Sequence, residues 1–489
     1  MSANPIPTET RTASGAPIEL PIKSGELLRG LSSERTLELE TLHGNGDLMR
    51  ALDILGIAGP LRTISPWELE DADGRHLIHA GGYAAVPFGE MYPPLIEFIQ
   101  SFLTENRTPG LPQQSLSEWR AALSTNLVSL LASQTPSHEE SQVFFSNSGA
   151  EAVETAIKFA KATRPKSKTL INFSRAYHGK TVGALSLTPN EEYQDVFKPL
   201  MPGVRTLPYG NVTALERAVK ELGPNDIIAV VLEPIQGEGG VITPPKEFLP
   251  AVARLAERYG FLTIADEIQS GLGRTGHWFA SLAGGLDPDI ITLAKPLGGG
   301  LVPIGATIAR KAIFQTVLGG LESKRHSSTF GGGSLAMAVG LRSLELIAEK
   351  GLVERAREMG GQGLARLEAI RERHPGYIKA VRAAGMLFAI ELRHTIKPSL
   401  VPGNAELARQ LGTVLAIRTM HRHGLHVCYS NNASHVIRLT PALNMPIELF
   451  EEMFARLERV ASHHRGAWQM LPKTPLRRLW RLARLALKS

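Results

Sequence analysis

The chain is poor in several features that would define other classes of protein. It has one cysteine, Cys428, in 489 residues, which excludes an internal disulfide framework. No apolar run is long enough to cross a bilayer, and the mean hydropathy is −0.04. No basic groove with interleaved aromatic residues favours nucleic-acid binding. We therefore expect a globular cytoplasmic protein, and we predict neither a metal site nor a nucleic-acid partner.

The excess of positive charge is confined to one end. The net charge is +6 and the pI is about 9.3. Residues 466–489 contain no acid and six basic residues, so the rest of the chain is close to neutral. The segment PLRRLWRLARLALKS spaces basic residues along one helical face, which could contact an anionic membrane surface or an acidic partner. The alternative is a terminal helix that packs on its own protein. At the other end, the polar, proline-rich leader lacks the apolar core of a secretory signal.

The chain is long enough for two or three domains. We predict an N-terminal extension over residues 1–65 and a segment over 66–130 that joins the small domain. The large domain is predicted over 131–375 and the small C-terminal domain over 376–465. The basic tail then covers 466–489.

Apolar strand-like runs alternate with helical segments from about residue 140. The runs are QVFFSN, KTLINFS, DIIAVVLEP, FLTIADE, DIITLA and PIGATIA. This alternation predicts an α/β fold, with a mostly parallel sheet covered by helices.

The flanking regions predict further elements. Trp67–Gly82 predicts a hairpin, with Asp73 and Gly74 supplying positive backbone dihedrals. Residues around 335–375 predict long amphipathic helix. GMLFAIEL and HVIRLTPAL predict strands of a smaller α+β unit, closed by a helix over Ile447–Val460.

Two reactive side chains follow apolar strands. Lys295 comes directly after DIITLA, at the start of a glycine-rich loop, and Asp266 ends the run FLTIAD. A lysine in apolar surroundings can lose its proton, so its amine can form a Schiff base. The carboxylate of Asp266 could hold a proton on a pyridine nitrogen. Taken singly, the two are a surface lysine and a capping aspartate. Together they are the two anchors that pyridoxal phosphate (PLP) requires.

A strand-turn-helix segment, QVFFSNSGAEAVETAIKFA, offers a phosphate site. Its helix begins near Ser148, Gly149 and Ala150, where unpaired amides and the helix dipole favour an anion. Ordinary serine capping is the alternative. Tyr177, followed by His178 in the next loop, could supply an aromatic face for a planar cofactor. A tyrosine that only packs in its loop is equally compatible.

Charged loops supply further candidates. The loop LEPIQGEGG carries Glu233 and Glu238, and acids near an anionic cofactor are costly unless they have partners. Arg438 could pair with Glu238 or clamp a substrate carboxylate, and a surface ion pair is the alternative. In HSSTFGGG, Thr329 and three glycines allow close approach to an anion.

These segments together resemble the class III PLP-dependent aminotransferases, the ω-aminotransferase branch of fold type I. The matching elements occur in the family's order over roughly residues 65–460: SNSGAEAVETAIKFA, AYHGK, LEPIQGEGGV, ADEIQSGLGRTG, LAKPLGGG, HSSTFGG and IRLTP. Within the family the chain looks most similar to putrescine (diamine) aminotransferases. FKPLMPGVRTLPYGN, LGGGLVPIGATIA and GMLFAIEL carry that closer similarity.

The resemblance implies the cofactor and a role for each matching residue. Lys295 would be the Schiff-base lysine and proton shuttle, and Asp266 would pair with the pyridinium nitrogen. Gln269 would contact the phenolic oxygen, and Tyr177 would stack on the ring. The other implied cofactor-binding residues are Ser148, Gly149, Ala150, His178 and Glu233.

The resemblance also implies a homodimer with active sites at the subunit interface, because a threonine matching Thr329 reaches the phosphate from the neighbouring subunit. Glu238 and Arg438 resemble the family's switch pair, in which the glutamate masks the arginine until a carboxylate substrate binds. Tyr83 and Lys180 complete the implied substrate-binding set.

Two departures bear on the substrate. Lys180 stands where ornithine and acetylornithine enzymes usually carry an arginine for a substrate carboxylate, which fits a diamine better. Gly332-Gly333-Ser334 replaces the family's GGNP. We therefore expect transfer of the terminal amino group of a diamine or ω-amino acid to 2-oxoglutarate, giving an aldehyde and glutamate. An ornithine-, acetylornithine- or lysine-type aminotransferase, a PLP-dependent racemase or aminomutase, and a non-catalytic binding protein remain as alternatives.

Overall fold

The computed structural model describes residues 21–28, 30–55, 58–112, 114–393 and 405–463. The predicted polar leader and the predicted basic tail over 466–489 lie outside these ranges. No helix in the described ranges combines the length and apolar character needed to span a membrane.

The helices and strands of the described ranges are as follows. The helices are α1 (Ser24–Leu27), α2 (Ser33–His43), α3 (Gly46–Leu55), α4 (Pro93–Glu105), α5 (Glu118–Ala132), α6 (Gly149–Thr163), α7 (Val182–Ser186), α8 (Glu191–Gln194), α9 (Val212–Leu222), α10 (Phe248–Tyr259), α11 (Ala280–Ala283), α12 (Lys311–Leu318), α13 (Ser334–Glu349), α14 (Leu352–Arg373), α15 (Ala405–Arg422) and α16 (Ile447–His463). The strands are β1 (Arg62–Ser65), β2 (Glu68–Glu70), β3 (His76–His79), β4 (Gln142–Ser146), β5 (Thr169–Phe173), β6 (Val204–Leu207), β7 (Ile227–Leu232), β8 (Leu262–Asp266), β9 (Ile290–Leu293), β10 (Gly305–Ala309), β11 (Ile378–Ala384), β12 (Leu387–Leu392), β13 (Leu425–His426), β14 (Cys428–Ser430) and β15 (Ala433–Leu439).

Helices α1 to α3 belong to a compact unit that is distinct from the one starting at Leu61. Within the first unit, α2 and α3 pack against each other. Ser32 caps α2, because its Oγ accepts a hydrogen bond from the Arg35 amide at 3.2 Å. The second unit contains the three sheets of the described residues and the candidate site.

The central sheet has seven strands in the order β4-β10-β9-β8-β7-β5-β6. All six predicted runs form strands of this sheet, and the mostly parallel α/β architecture is confirmed. β10 is antiparallel to both neighbours, and the remaining strands are mutually parallel. β6, with the sequence VRTL, was not predicted.

The middle of this sheet is buried on both faces. Every residue of β7, β9 and β10 is buried, which explains why these strands are continuous apolar runs rather than alternating ones. Because β4, β5, β7, β8 and β9 point the same way, their carboxyl ends meet at one edge of the sheet. The segments that follow these ends carry the candidate site.

A second, antiparallel sheet has the order β11-β12-β15-β14. Its strand β15 carries Arg438 and places it opposite Ala389 of β12. Phe388 of β12 packs against Phe450 and Phe454 of α16, with ring centroids 6.2 and 6.0 Å away. This is the predicted α+β unit, and α16 covers the helix predicted over Ile447–Val460.

The predicted hairpin forms between β2 and β3, and its turn differs in one detail. Gly74 has a φ of 75°, but Asp73 is not among the residues with positive φ. The Asp73 amide donates to Asp71 Oδ1 at 3.0 Å, a side-chain turn that needs no left-handed residue at 73. Strand β3 of the hairpin also pairs in parallel with β13, which belongs to the C-terminal part of the chain.

The helical prediction over 335–375 is confirmed, but it did not foresee that the helix is interrupted. The structure has two helices, α13 and α14, separated at Lys350 and Gly351. Gly351 adopts a left-handed conformation with φ of 56°, which ends one helix and permits a change of direction before the next.

Candidate active site

A cleft of about 250 Å³ opens at the carboxyl edge of the central sheet. Ten residues predicted from sequence line it: Gly149, Ala150, Tyr177, His178, Lys180, Glu233, Glu238, Asp266, Gln269 and Lys295. Residues up to 146 positions apart in the chain, Gly149 and Lys295, meet because the strands that precede them end at the same edge.

Lys295 is separated from the end of β9 by Ala294 alone and opens a short 3₁₀ turn. It is partly buried. Burial lowers the pKa of its amine from the ordinary value, although the negative charges of Glu238 and Asp266 act in the opposite direction. A lysine amine with a lowered pKa is more often unprotonated, and so is more nucleophilic.

Asp266 is the last residue of β8 and is only 3% exposed. Its Oδ2 lies 2.7 Å from His178 Nδ1. Its Oδ1 accepts hydrogen bonds from the Ile268 amide at 3.1 Å and the Thr292 hydroxyl at 3.3 Å. These contacts fix the orientation of the carboxylate at the floor of the cleft.

His178 is buried against Asp266 and is held from its backbone side as well. Its amide donates to the Thr188 hydroxyl at 2.9 Å. Burial lowers the pKa of His178, but the hydrogen bond and the charge of Asp266 outweigh burial and raise it overall. A His178 imidazolium would neutralise part of the charge of Asp266 in the absence of another cation.

The amino end of α6 borders the cleft. Ser148 caps this helix, because its Oγ accepts from the Glu151 amide at 3.2 Å. Helix geometry leaves the amides of Gly149 and Ala150 without intrahelical partners, as a phosphate cradle needs. Gly149 packs tightly: a Cβ there would come within 2.8 Å of Ile268 Cδ1.

An ion pair closes another wall. Arg438 Nη2 lies 2.6 Å from Glu238 Oε1, and the two residues are 0% and 4% exposed. Arg438 Nη1 donates to Gln269 Oε1 at 3.1 Å, and the Gln269 amide donates to the Tyr83 carbonyl at 3.2 Å. The charge of Glu238 raises the pKa of Arg438 against the opposing effect of burial. The positive charge of Arg438 is therefore balanced by Glu238, and its guanidinium is hydrogen-bonded to Gln269.

Four predicted residues do not line the cleft directly. Arg438 reaches it through Glu238 and Gln269, and Tyr83 lies beside Arg438, with its ring centroid 5.6 Å from the guanidinium. Ser148 caps the helix behind Gly149. Thr329 is exposed on the loop before α13 and does not line the cleft.

Several contacts were not predicted. Ile268 and Ala294 line the cleft, and both directly flank predicted residues, so adjacency to Gln269 and Lys295 was the available signal. Thr292, which holds Asp266, lies on the neighbouring strand and gave no sequence signal. Lys180 Nζ lies 3.8 Å from the ring centroid of Tyr193, which was also not predicted.

A mostly parallel α/β sheet with a partly buried lysine and a buried aspartate at its carboxyl edge is the arrangement expected of a PLP-dependent enzyme of fold type I. The family model for aminotransferase class-III matches residues 66–461, so the chain belongs to the class III aminotransferases and is a PLP-dependent transaminase. Its substrates are therefore a small-molecule amine and an oxo acid.

Solved structures agree in fold over most of the chain. An ornithine aminotransferase from Toxoplasma gondii is 27% identical, with a TM-score of 0.70 over 82% of this chain and 90% of that one. A second structure of the ornithine aminotransferase from that organism, strain ME49, is 25% identical, with a TM-score of 0.76 over 91% and 99%. An amine transaminase from an uncultivated Pseudomonas species, in PLP-bound form, is 25% identical, with a TM-score of 0.73 over 83% and 95%.

The residues of the cleft fit this cofactor. The oriented carboxylate of Asp266 suits a ring nitrogen that carries a proton, and the amides at the start of α6 suit a phosphate. The amine of Lys295, with its lowered pKa, suits an aldehyde. A side chain at Gly149 would fill the space beside Ile268, so the close approach of backbone there depends on glycine.

Proposed function

We propose that this transaminase moves the terminal amino group of a diamine or ω-amino acid to 2-oxoglutarate, giving an aldehyde and glutamate. The supporting observation is the buried ion pair between Arg438 and Glu238. Because Glu238 already neutralises the guanidinium, an amine donor meets no unpaired positive charge on this wall. A dicarboxylate acceptor could take the place of Glu238 and receive two parallel hydrogen bonds from the arginine.

Lys180 supports a donor without an α-carboxylate. Its ammonium lies over the Tyr193 ring, a cation–π contact that already satisfies part of its charge. A lysine also lacks the planar fork with which an arginine binds a carboxylate. The names of the structural neighbours, ornithine aminotransferase and amine transaminase, are compatible with reaction at a terminal amino group.

The residues of the cleft would have different roles in the reaction. Bound PLP supplies an electron-withdrawing ring that stabilises negative charge on the carbon that loses its proton. Lys295 would remove that proton from the substrate carbon and then donate it to the cofactor. Its lowered pKa suits this role. Asp266 would hold a proton on the ring nitrogen, with His178 orienting the carboxylate.

The remaining residues would bind and orient. The amides of Gly149 and Ala150 would hold the phosphate, and Tyr177 would stack on the ring. Gln269 would contact the phenolic oxygen through the second N–H of its amide nitrogen, because the first donates to the Tyr83 carbonyl. Because Gln269 also bonds Arg438, it would link the cofactor to the arginine that receives the acceptor.

We also propose a homodimer in which Thr329 of one subunit completes the phosphate site of the other. Its exposed position outside the cleft of its own subunit supports this role. The test mixes Lys295→Ala with Thr329→Ala after reversible dissociation. If sites are shared, one site of each mixed dimer regains both residues, so activity returns to about a quarter of wild type. If the subunits are shown to have exchanged and activity still does not recover, the shared site is contradicted.

We also propose the domain boundaries that were predicted from the sequence. Residues 66–130 would join a small domain over 376–465, and the large domain over 131–375 would hold the cofactor. The parallel pairing of β3 with β13 supports the first of these assignments, because it places the N-terminal hairpin on the C-terminal part of the chain.

The decisive experiment is a panel of amine donors with 2-oxoglutarate, in which glutamate formation is measured. Putrescine and cadaverine should give the highest kcat/KM, with ornithine and lysine lower. A preference for ornithine would favour the second candidate, an ornithine-type aminotransferase, the class of the two Toxoplasma gondii structures. Racemised amino acid without glutamate would contradict both candidates.

A further inference from the structure

Glu233 is a buried acid of the cleft that the proposed mechanism does not use. It is the first residue after β7, it is 5% exposed, and it lines the cleft. Its Oε1 accepts a hydrogen bond from the Tyr177 amide at 2.9 Å, and its Oε2 accepts one from the Gly237 amide at 3.2 Å. A single carboxylate therefore bridges the loop that follows β5 and the loop that follows β7.

Each end of this bridge lies next to a residue with a proposed role. Tyr177 offers the stacking face, and Gly237 directly precedes Glu238, the partner of Arg438. Gly237 also packs closely on Gln269, because a Cβ at position 237 would lie 1.4 Å from Gln269 Oε1. A shift of the Gly237 loop would therefore move both the ion pair and Gln269.

We infer that Glu233 is a positioning residue whose carboxylate holds the stacking loop and the Glu238–Arg438 pair in one geometry. The importance of this geometry for turnover rests on the proposed function. The bridge itself involves only atoms of this chain, so it can be tested without any substrate.

The chemistry of the bridge makes it depend on ionisation. Both partners are N–H donors, and only an ionised carboxylate accepts at both oxygens without placing its own hydrogen against a donor. Burial raises the pKa of Glu233 to about 7, the charge of His178 lowers it, and the charge of Asp266 raises it. The hydroxyl of Tyr209 and the amine of Lys295 also interact electrostatically with this carboxyl.

The direction of the pH effect follows from that value. Above about pH 7 the carboxyl is ionised and accepts both hydrogen bonds. As the pH falls through 7 it gains a proton, so one of the two amides loses its acceptor. We therefore expect turnover to fall on the acid side of pH 7 in the wild type, and this limb to be absent in Glu233→Gln.

Hydrogen–deuterium exchange on the full-length protein tests the bridge directly. At pH 8, Glu233→Gln should accelerate exchange at the Tyr177 or the Gly237 amide by roughly 5- to 10-fold, because a carboxamide offers only one acceptor oxygen. The steady-state pH profile is measured with whichever donor the wild type accepts. Failure of the diamine panel would leave the exchange result unaffected.

Glu267→Gln is the matched control. Glu267 is a buried glutamate at 1% exposure that accepts from the Ser270 hydroxyl and the Ser281 amide and does not line the cleft. This variant should lower thermal stability but leave exchange at Tyr177 and Gly237 and the acid limb unchanged. Wild-type exchange at both amides in Glu233→Gln would overturn the inference, as would equal acceleration of those amides in Glu267→Gln.

Discussion

Removal of Arg438 should separate its structural contribution from its contribution to acceptor binding. In Arg438→Met an apolar chain replaces the guanidinium, and Glu238 remains buried at 4% exposure without its cation. Breaking a buried pair from one side typically destabilises a protein by ~3–5 kcal/mol. The double variant Arg438→Met/Glu238→Gln removes both charges, so it should recover most of that loss. The free energies of unfolding of the wild type, Arg438→Met, Glu238→Gln and the double variant together give the coupling energy between the two residues.

Catalysis should respond differently from stability. Losing a hydrogen-bonded partner of a carboxylate costs ~2–5 kcal/mol, which corresponds to a roughly 30-fold to several thousand-fold loss in kcat/KM. With a diamine donor we expect this loss in the oxo-acid half-reaction and a far smaller loss in the amine half-reaction, because a diamine carries no carboxylate. The double variant should not recover acceptor binding, although it recovers stability.

Single-turnover absorbance measurements on the loaded enzyme resolve the two half-reactions. Equal losses in both half-reactions, in a variant that remains folded, would refute the acceptor role of Arg438. So would restoration of 2-oxoglutarate turnover by the second substitution, since that would mean that the defect came from the unpaired charge of Glu238.

Further variants test the floor and the wall of the cleft. Lys295→Ala should abolish transamination and the visible absorbance of the loaded enzyme while leaving the melting temperature of the apoprotein close to wild type; measurable turnover would end the assignment. Asp266→Asn should retain PLP but slow proton removal by orders of magnitude, and a near wild-type primary isotope effect and rate would exclude the proposed pairing with the ring nitrogen. Gly149→Ala should weaken PLP affinity, measured by equilibrium dialysis, because its Cβ would approach Ile268 to 2.8 Å. Gly361→Ala in α14 meets nothing within 4 Å, so as a control it should keep wild-type affinity and gain about 0.5–1 kcal/mol of stability.

The sequence was most informative where local pattern and chemistry coincide. The six strands were predicted because each lies in a mainly apolar run, and Asp266 and Lys295 were found because each ends or follows such a run. β6 was not found, since VRTL is short and its arginine interrupts the pattern. The reversed direction of β10 has no local signature, because strand direction is decided by pairing with β4 and β9.

The limits of prediction at the site have the same physical origin. The helix split at Gly351 depends on a single left-handed residue within a pattern that is otherwise helical. The bond from Arg438 to Gln269 joins residues 169 positions apart, and the contact of Lys180 with Tyr193 depends on a rotamer. Contacts of this kind follow from tertiary packing, which periodicity does not encode.

The position of the site at strand ends affects which of its properties could change by substitution. Asp266 ends β8, and Lys295 follows β9 with one intervening residue, so both inherit the stiffness of a buried sheet. Lys180 and Tyr193 lie instead on surface segments at the rim. Donor preference could therefore drift, or be engineered by a small library at those two rim positions, while the groups that carry out proton transfer stay in register.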